Sequence, residues 1–377
     1  MKIKSIHFLL LFSCLFPRSL FGQYDTLPKS ESNFNGPYFY EGLTYGSQGN
    51  YNPATVLLNR GFEMLRITTG NLYYDPINYK YRFDNIICNL AHPIQNISDY
   101  GTKEFFLEQV IPFGDPKKPY WYPNYTLHLF GGGMTYTGLK EWFVSKKISH
   151  AGILSGATLL GAALINESIE ERQRGGSFNL NVDAIADFYF FDIAGILLFQ
   201  SKKVNYFFSK KLNMRDWSRQ PMLLLPGVYM GNCGQFFSFK PRIPYTKSWY
   251  FFSMMGLGGL VGVSHTFPSN YGLSIGFGQG PKRKEKELLG LPIDVSLVPM
   301  AGLYLDKNNS LLASLELSNS KNDLYHNYFA ELDVYPGLVK IGKKFSPGAW
   351  LALSKEKDVV FGINCNYTFG LGVGMHP

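Results

Sequence analysis

The chain has 377 residues, 39 of them glycine, and a formal net charge of +8; 16% of its residues are aromatic and only 17% are charged. The length permits two or three domains or one large β-structure with an insert, and the low charged fraction fits a surface partly covered by lipid or a partner. The basic residues form no stripe with interleaved aromatics, which argues against nucleic-acid binding.

The first 22 residues are predicted to be a secretory signal peptide. Lys2 and Lys4 form a charged start, Ile6 to Phe16 supply a largely apolar core, and Gly22 ends a candidate cleavage site. Removal of this leader lowers the formal charge to +5, because Lys2, Lys4 and Arg18 leave with it. The sequence therefore predicts export.

The four cysteines predict no disulfide framework. Cys14 lies in the leader, where Leu11-Phe-Ser-Cys14 offers an alternative lipidation site that the bulky Phe12 disfavours. Cys88, Cys233 and Cys365 remain, an odd number without CxxC spacing. Neither a disulfide framework nor a zinc–thiolate site is expected.

Residues 23–125 are interpreted as an irregular N-terminal segment with a few strands. The run from Tyr45 to Pro53 is rich in Gly, Asn and Ser and reads as a loop, and Leu57 to Thr68 fits a strand or a short helix. The segment has too little hydrophobic periodicity for a core of its own, so we expect it to pack on another part of the chain.

Residues 126–218 are predicted to form a helical core. The apolar run from Ala151 to Ile165 gives about 22 Å of helix, short of the roughly 30 Å of a bilayer core, which indicates a buried helix. A second helix, Val182 to Phe199, follows the break at Gly175-Gly176. The two helices are expected to pair as a hairpin.

Acidic residues concentrate in this hairpin. Glu167, Glu170 and Glu171 share one helical face, and Asp183 and Asp187 share another at i, i+4 spacing. In a regular α-helix Asp192 points away from Asp183, half a circle round. Glu170 and Glu171 are interpreted as a solvated helix end near Arg172 and Arg174.

The candidate site therefore consists of His128, Glu167, Asp183 and Asp187. Carboxylates with a histidine can bind a divalent metal or supply a general acid and base. The alternative is structural: the buried acids pair with arginines or cap Ser and Asn groups. Glu167 and Asp187 fit that alternative least well, because they lie in apolar sequence where an unpaired carboxylate is costly. Metal and cofactor content stay open.

The order His128, apolar run, Glu167, Gly175-Gly-Ser-Phe-Asn179, Asp183-xxx-Asp187 and Gly195 resembles the pattern of the VanZ-like proteins and of a related family of predicted periplasmic lipoproteins. The likeness covers roughly 70 residues, about 128 to 199. The chain departs from the pattern at Glu170, where Gln is usual, and at Asp187, which stands for Asn. The resemblance implies an envelope protein with a compact helical core that bears a polar cluster.

Residues 219–377 are predicted to form an antiparallel meander of about eight strands. From Val359 to Met375 apolar residues alternate with small or polar ones, and Leu273, Ile275 and Phe277 alternate with glycine and serine. The strand lengths favour an outer-membrane β-barrel over a soluble sandwich. The chain ends Gly-Met-His-Pro377, whereas a barrel typically ends in an aromatic strand signal.

The expected fold class is α+β: a central helical hairpin and an antiparallel C-terminal meander, read as an outer-membrane barrel. The expected function is a structural or binding role in the bacterial outer membrane, with membrane lipid or envelope components as partners. One alternative is an envelope enzyme acting on lipid or glycan phosphate through the His/Glu/Asp cluster, and another is a soluble periplasmic binding module. Oligomeric state stays open, and His265 and His326 are interpreted as structural.

Overall fold

The computed structural model describes most of the chain beyond the leader. The described residues are 34, 36–66, 79–115, 120–170, 180–225, 229–283, 295–319, 328–341, 345–355, 358–365 and 368–375. The predicted signal peptide, the Gly175 to Asn179 motif and His326 lie outside them. Helices from residues 46 to 211 precede a sheet that runs from residues 215 to 375, so the α+β class with largely antiparallel C-terminal strands is confirmed.

Eleven α-helices occur in the described residues. They are α1 (Gly46–Asn50), α2 (Pro53–Gly61), α3 (Tyr79–Ala91), α4 (Pro93–Tyr100), α5 (Thr102–Phe105), α6 (Trp121–Pro123), α7 (Gly133–Ser145), α8 (Ala151–Glu170), α9 (Asp183–Ile185), α10 (Ile193–Leu198) and α11 (Lys202–Tyr206). Four π-helical segments continue some of them: π1 (Phe106–Val110), π2 (Asn124–Gly132), π3 (Ala186–Asp192) and π4 (Phe207–Lys211). A 3₁₀ turn spans Glu63–Arg66.

The N-terminal segment is helical where strands were expected. Helix α2 begins at Pro53, and the Asn52 side chain caps it by accepting hydrogen bonds from the amides of Ala54 and Thr55, both at 3.0 Å. An Asn-Pro pair serves a helix start well, because Pro lacks the amide hydrogen that the first turn cannot use. The described part of residues 23–125 contains helices and no strand, and the few strands expected in this segment stay a prediction for the residues outside the described ranges. Short helices of this kind depend on tertiary packing for their stability.

Helix α8 is five residues longer than the apolar run that predicts it. Ala151–Glu170 is the one described helix that is long and apolar enough to cross a membrane, and 39% of its most apolar 18 residues are buried inside the protein. The segments Asp183–Leu198 and Lys202–Lys211 would also be long and apolar enough if they were taken as one span, but the chain bends by 87° between them. Core helices can have the same length and composition, and α8 buries Leu159, Ala162 and Glu167.

Thirteen strands form one sheet. They are β1 (Arg215–Asp216), β2 (Met222–Leu225), β3 (Tyr229–Gly231), β4 (Phe237–Phe239), β5 (Trp249–Met255), β6 (Gly259–Thr266), β7 (Tyr271–Arg283), β8 (Val295–Lys307), β9 (Ser310–Ser318), β10 (Ala330–Val334), β11 (Gly348–Leu353), β12 (Val359–Asn364) and β13 (Gly370–Met375). Their order is β1-β4-β5-β6-β7-β8-β9-β10-β11-β12-β13-β2-β3.

The strands from β4 to β13 follow one another as an antiparallel meander, somewhat longer than the eight strands expected. Strand β13 then pairs in parallel with β2, with Gly370 opposite Met222. Among the described residues β1 and β3 end the sheet and are not paired with each other. The sheet is therefore not closed by hydrogen bonds.

The two faces of the sheet differ in exposure and in chemistry. Outward positions at alternate residues are exposed and apolar; the most exposed of them, Phe277, Leu297 and Leu371, are 55 to 60% exposed. The others on this face are Val263, Leu273, Ile275, Leu303, Leu315, Leu317, Leu332, Leu353, Phe361, Ile363 and Val373. The positions between them are buried and mixed: some are polar, as Ser274 and Asp306 are, and others belong to apolar clusters, as Tyr304 and Trp350 do.

Charged side chains are buried on the inner face. The Arg219 guanidinium forms ion pairs with Glu316, with Glu331 at 3.3 Å and with Asp333 at 3.2 Å. Its plane also stacks over the Phe236 ring, 4.9 Å from the ring centre. Pairing of this kind is what makes buried charge tolerable.

The N-terminal helices pack on this polar inner face. The Asn59 side chain of α2 donates to the Arg219 carbonyl at 2.8 Å and accepts from the Gly234 amide at 3.1 Å. In α1 the Ser47 hydroxyl donates to the Asp216 carbonyl at 2.9 Å and accepts from the Leu311 amide. These helices thus lie on the inner side of the sheet, and within the described residues the apolar outer face is exposed.

Candidate functional site

The candidate site lies where two π-helical segments, π2 and π3, pack against each other. Glycines permit π2 to approach π3 and α10, the helix that continues π3. A Cβ at Gly195 of α10 would lie 2.5 Å from the Leu129 carbonyl oxygen, and one at Gly132 of π2 would lie 3.0 Å from a carboxylate oxygen of Asp192. Any larger residue would force these segments apart. Gly132 and Gly195 therefore have a packing role.

His128, on π2, lies between two carboxylates of π3. Its Nε2 is 3.4 Å from Asp187 Oδ2, and its Nδ1 is 3.3 Å from Asp192 Oδ1. Asp187 and Asp192 are five residues apart, which brings them onto one side of a π-helix because its hydrogen bonds join residues i and i+5. The π-helical turn therefore aims both acids at one imidazole.

Arg60, on α2, is the buried cation of the cluster. One guanidinium nitrogen donates to Asp192 Oδ1 at 2.5 Å and lies 3.0 Å from His128 Nδ1. The other donates to the Leu127 carbonyl at 3.2 Å and to the Gln235 side chain at 3.1 Å. This arrangement pairs Asp192 and fixes Arg60 between the helices and the strand region.

Glu167 enters the same cluster from the last turn of α8. Its side chain is 2% exposed, and both carboxylate oxygens are buried without a hydrogen-bond partner among the described residues. Asp187 Oδ1 and Asp192 Oδ2 are likewise buried and unpartnered there. Buried polar atoms without partners are rare in folded proteins, because each costs roughly 1 to 3 kcal/mol, and they call for an explanation.

Asp183 lies one turn before Asp187 and is only partly buried. The Gln109 side chain donates a hydrogen bond to it. Gln109 also accepts a hydrogen bond from Asn124 at 3.1 Å, which connects Asp183 to the start of π2. Asp183 is thus near the cluster but outside the group of three side chains that converge most closely.

The electrostatics divide the acids into two classes. Burial raises the pKa of Glu167 and of Asp187 well above the ordinary carboxyl value, and the neighbouring carboxylates raise both further. Burial also raises the pKa of Asp183, against the opposing effects of His128 and of the Gln109 hydrogen bond. Burial alone would raise the pKa of Asp192, but the Arg60 and His128 charges and hydrogen bonds outweigh it and lower that pKa.

The structure brings together three of the four residues predicted for the site. One ligand atom each from His128, Glu167 and Asp187 lies within 4.8 Å of the other two. The expectation that Asp192 points away was wrong, because it assumed α-helical spacing where the chain forms π3. Arg60 was missed, since nothing in the sequence connects it to His128, 68 positions later.

The cluster has two chemical capacities. An imidazole and two carboxylates form a mixed nitrogen and oxygen donor set that suits divalent transition metals. The same groups, with one acid held protonated and another ionised, are the components of general acid and base catalysis. Access limits the second capacity, because His128 and Asp187 are only 8% and 5% exposed.

The chain matches no protein-family model, and no significantly similar curated protein or solved structure was found. The resemblance to the VanZ-like proteins therefore stays a prediction.

Proposed function

We propose that the chain is an outer-membrane protein of the bacterial cell envelope, whose sheet curves into a barrel around its polar face and contacts lipid with its apolar face. The observation that carries this proposal is the row of exposed apolar side chains at alternate positions of β6 to β13, while charged and polar side chains such as Asp306, Glu316 and Asp333 are buried on the opposite face. A sheet with one face in water instead exposes polar side chains on that face and buries apolar ones on the other. Outer-membrane barrels have an apolar exterior and a polar interior.

Aromatic side chains at one edge of the sheet support the proposal. Trp249, Phe267, Phe345 and Phe369 lie at or beside strand ends on the same edge of the meander and are 42 to 46% exposed. Aromatic girdles mark the level of the lipid headgroups in membrane barrels. The four residues fit such a girdle.

In this proposal the strands cross the membrane and the helices do not. The helices pack on the polar inner face through contacts such as Asn59 with the Arg219 carbonyl, so they act as a plug or cap. The role is structural or binding, and the partners are membrane lipid and envelope components. A soluble periplasmic module would need a second layer over the apolar face, and no described residue supplies one.

Membrane fractionation of cells that express the full chain tests the proposal. We expect the protein in the outer-membrane fraction, released only by detergent, with heat-modifiable migration on gels. A soluble periplasmic protein in the same cells serves as the control. Recovery of the chain in the soluble fraction without detergent would refute the proposal.

A second candidate function is that of an envelope enzyme acting on lipid or glycan phosphate. The observation that favours it is the position of His128 between Asp187 and Asp192, with the unpartnered Glu167 carboxylate beside them. In a deletion strain with a measurable envelope defect, the E167Q and D187N variants should fail to complement at normal protein levels, while E170Q should complement. Complementation by all three variants would eliminate this candidate.

A further inference from the structure

Two donor atoms of the cluster have the spacing of a metal site, and a third lies near them. The His128 Nε2 to Asp187 Oδ2 distance is 3.4 Å, and ligand atoms of His128, Glu167 and Asp187 lie within 4.8 Å of one another. Tetrahedral bonds of about 2.0 to 2.2 Å separate neighbouring donors by roughly 3.3 to 3.6 Å. The first pair has that spacing already, and Glu167 has to move closer to share an ion with it.

The unpartnered oxygens are an independent observation that points to a cation. Glu167 is 2% exposed and neither of its oxygens accepts a hydrogen bond among the described residues, although the side chain is directed into the cluster. Asp187 Oδ1 is also buried without a hydrogen-bond partner among the described residues. A bound cation would satisfy these oxygens.

The charge of the cluster is compatible with a divalent cation. Metal-binding carboxyl groups are ionised, and with Glu167 and Asp187 in that form these two acids, Asp192 and Arg60 carry two more negative than positive charges. A divalent cation balances that charge. Without a cation, buried carboxyl groups of this kind are kept neutral by protonation.

The neighbours of His128 form the support that a metal-bound histidine requires. Nδ1 lies 3.3 Å from Asp192 and 3.0 Å from a guanidinium nitrogen of Arg60, which can only donate. A metal on Nε2 requires the tautomer in which Nδ1–H donates to Asp192, and in that tautomer the Arg60 nitrogen donates to Asp192 alone. Arg60 holds that carboxylate in place at 2.5 Å. A metal-bound histidine usually donates its second ring N–H to a carboxylate or carbonyl in this way.

We propose that His128, Glu167 and Asp187 bind a divalent transition-metal ion of the Zn²⁺ class, with His128 oriented through Asp192 and Arg60. The imidazole donor favours such an ion over Ca²⁺ or Mg²⁺, which prefer oxygen ligands throughout. Three protein ligands leave a fourth position for water or an oxygen of a ligand, as in catalytic zinc sites. The proposal is independent of whether the sheet lies in a membrane.

Calorimetric titration of the purified full chain with ZnCl₂ tests the proposal. The protein carries an affinity tag without histidine, is stripped with EDTA, and is exchanged into chelator-free detergent buffer. We expect one Zn²⁺ per chain, affinity reduced at least about 100-fold by E167Q or D187N, and affinity reduced about 10- to 100-fold by D192N. Ca²⁺ at the same concentration should not compete.

The H265Q variant is the matched control, because His265 packs against Trp249 and Phe267 in the sheet, with ring centres 4.7 and 4.8 Å away. It should bind Zn²⁺ as the parent does. Near-ultraviolet circular dichroism shows whether each variant is folded; E167Q is expected to fold, because Gln keeps the shape and removes a buried charge. A parent chain that binds less than half an equivalent of Zn²⁺, or folded E167Q and D187N variants that bind as tightly as the parent, would overturn the proposal.

Discussion

Arg60 donates a hydrogen bond to Asp192 at 2.5 Å across 132 positions of sequence, and both side chains are almost completely buried. The pair joins helix α2, which packs on the sheet, to π3, which carries the candidate site. It also leaves Glu167 and Asp187 as the acids without a cation of their own. The pair therefore separates a structural part of the cluster from the part available for a ligand.

Removal of Arg60 should be strongly destabilising. The R60M variant leaves Asp192 buried without its ion-pair partner, and such losses typically cost about 3 to 5 kcal/mol. Denaturant unfolding in detergent measures the change. The double variant R60M/D192L, which removes both charges, should recover much of the lost stability; an equal loss in the double variant would show that packing, not charge, explains the effect.

Gly195 should tolerate no side chain. A Cβ there would lie 2.5 Å from the Leu129 carbonyl oxygen, so G195A should lower the unfolding free energy by about 1 to 3 kcal/mol. At Gly156, in the middle of α8, an added Cβ would have no neighbouring atom within 4 Å, and G156A should raise stability by about 0.5 to 1 kcal/mol. Thermal unfolding followed by circular dichroism compares the two. A similar effect of both substitutions would contradict the close packing of α10 on π2.

A lysine on the outer face should be costly in lipid. Leu315 is exposed in β9, and L315K should destabilise the protein refolded in vesicles by up to about 2 to 4 kcal/mol, depending on its depth in the bilayer. On a water-exposed face the same change would stay within about 0.5 kcal/mol. Y245K, at a turn residue that is 93% exposed, is the control and should be neutral. A neutral L315K would argue for water on this face.

The affinity for Zn²⁺ should rise with pH. Burial raises the pKa of Glu167 and Asp187, so these carboxyl groups keep their protons to a higher pH than usual, and the protons must leave when the metal binds. Each proton displaced contributes about a tenfold increase in affinity per pH unit below the pKa concerned. Titrations in buffers of different ionisation enthalpy count these protons. An affinity independent of pH, with no proton release, would contradict this prediction.

Much of the fold can be predicted from local pattern. The apolar run from Ala151 predicts α8, and the period of two from Val359 to Met375 predicts β12 and β13. Each pattern depends only on which side of a single helix or strand is apolar. Local pattern also identifies His128, Glu167 and Asp187 as candidate site residues, since ionisable side chains stand out in apolar sequence. These parts of the structure follow from short-range information.

The remaining features depend on tertiary contact or on unusual helical geometry. Arg60 reaches the site only because α2 packs beside π2, and no spacing in the sequence records that contact. Asp192 faces His128 only because π3 has wider turns than an α-helix, so arithmetic at 3.6 residues per turn assigns it to the wrong side. The helices before residue 125 are short and interrupted, and they gain their stability from packing.

Lipid contact of the outer face is tested most directly by quenching with brominated acyl chains. In a chain whose four cysteines are replaced by alanine, F277C and Y245C each carry one bimane label, at an outward β7 residue that is 60% exposed and at the exposed turn. After reconstitution in vesicles, the account predicts strong quenching by brominated lipid at position 277 and little at 245. Strong quenching at 277 by aqueous iodide, with none by brominated lipid, would contradict it.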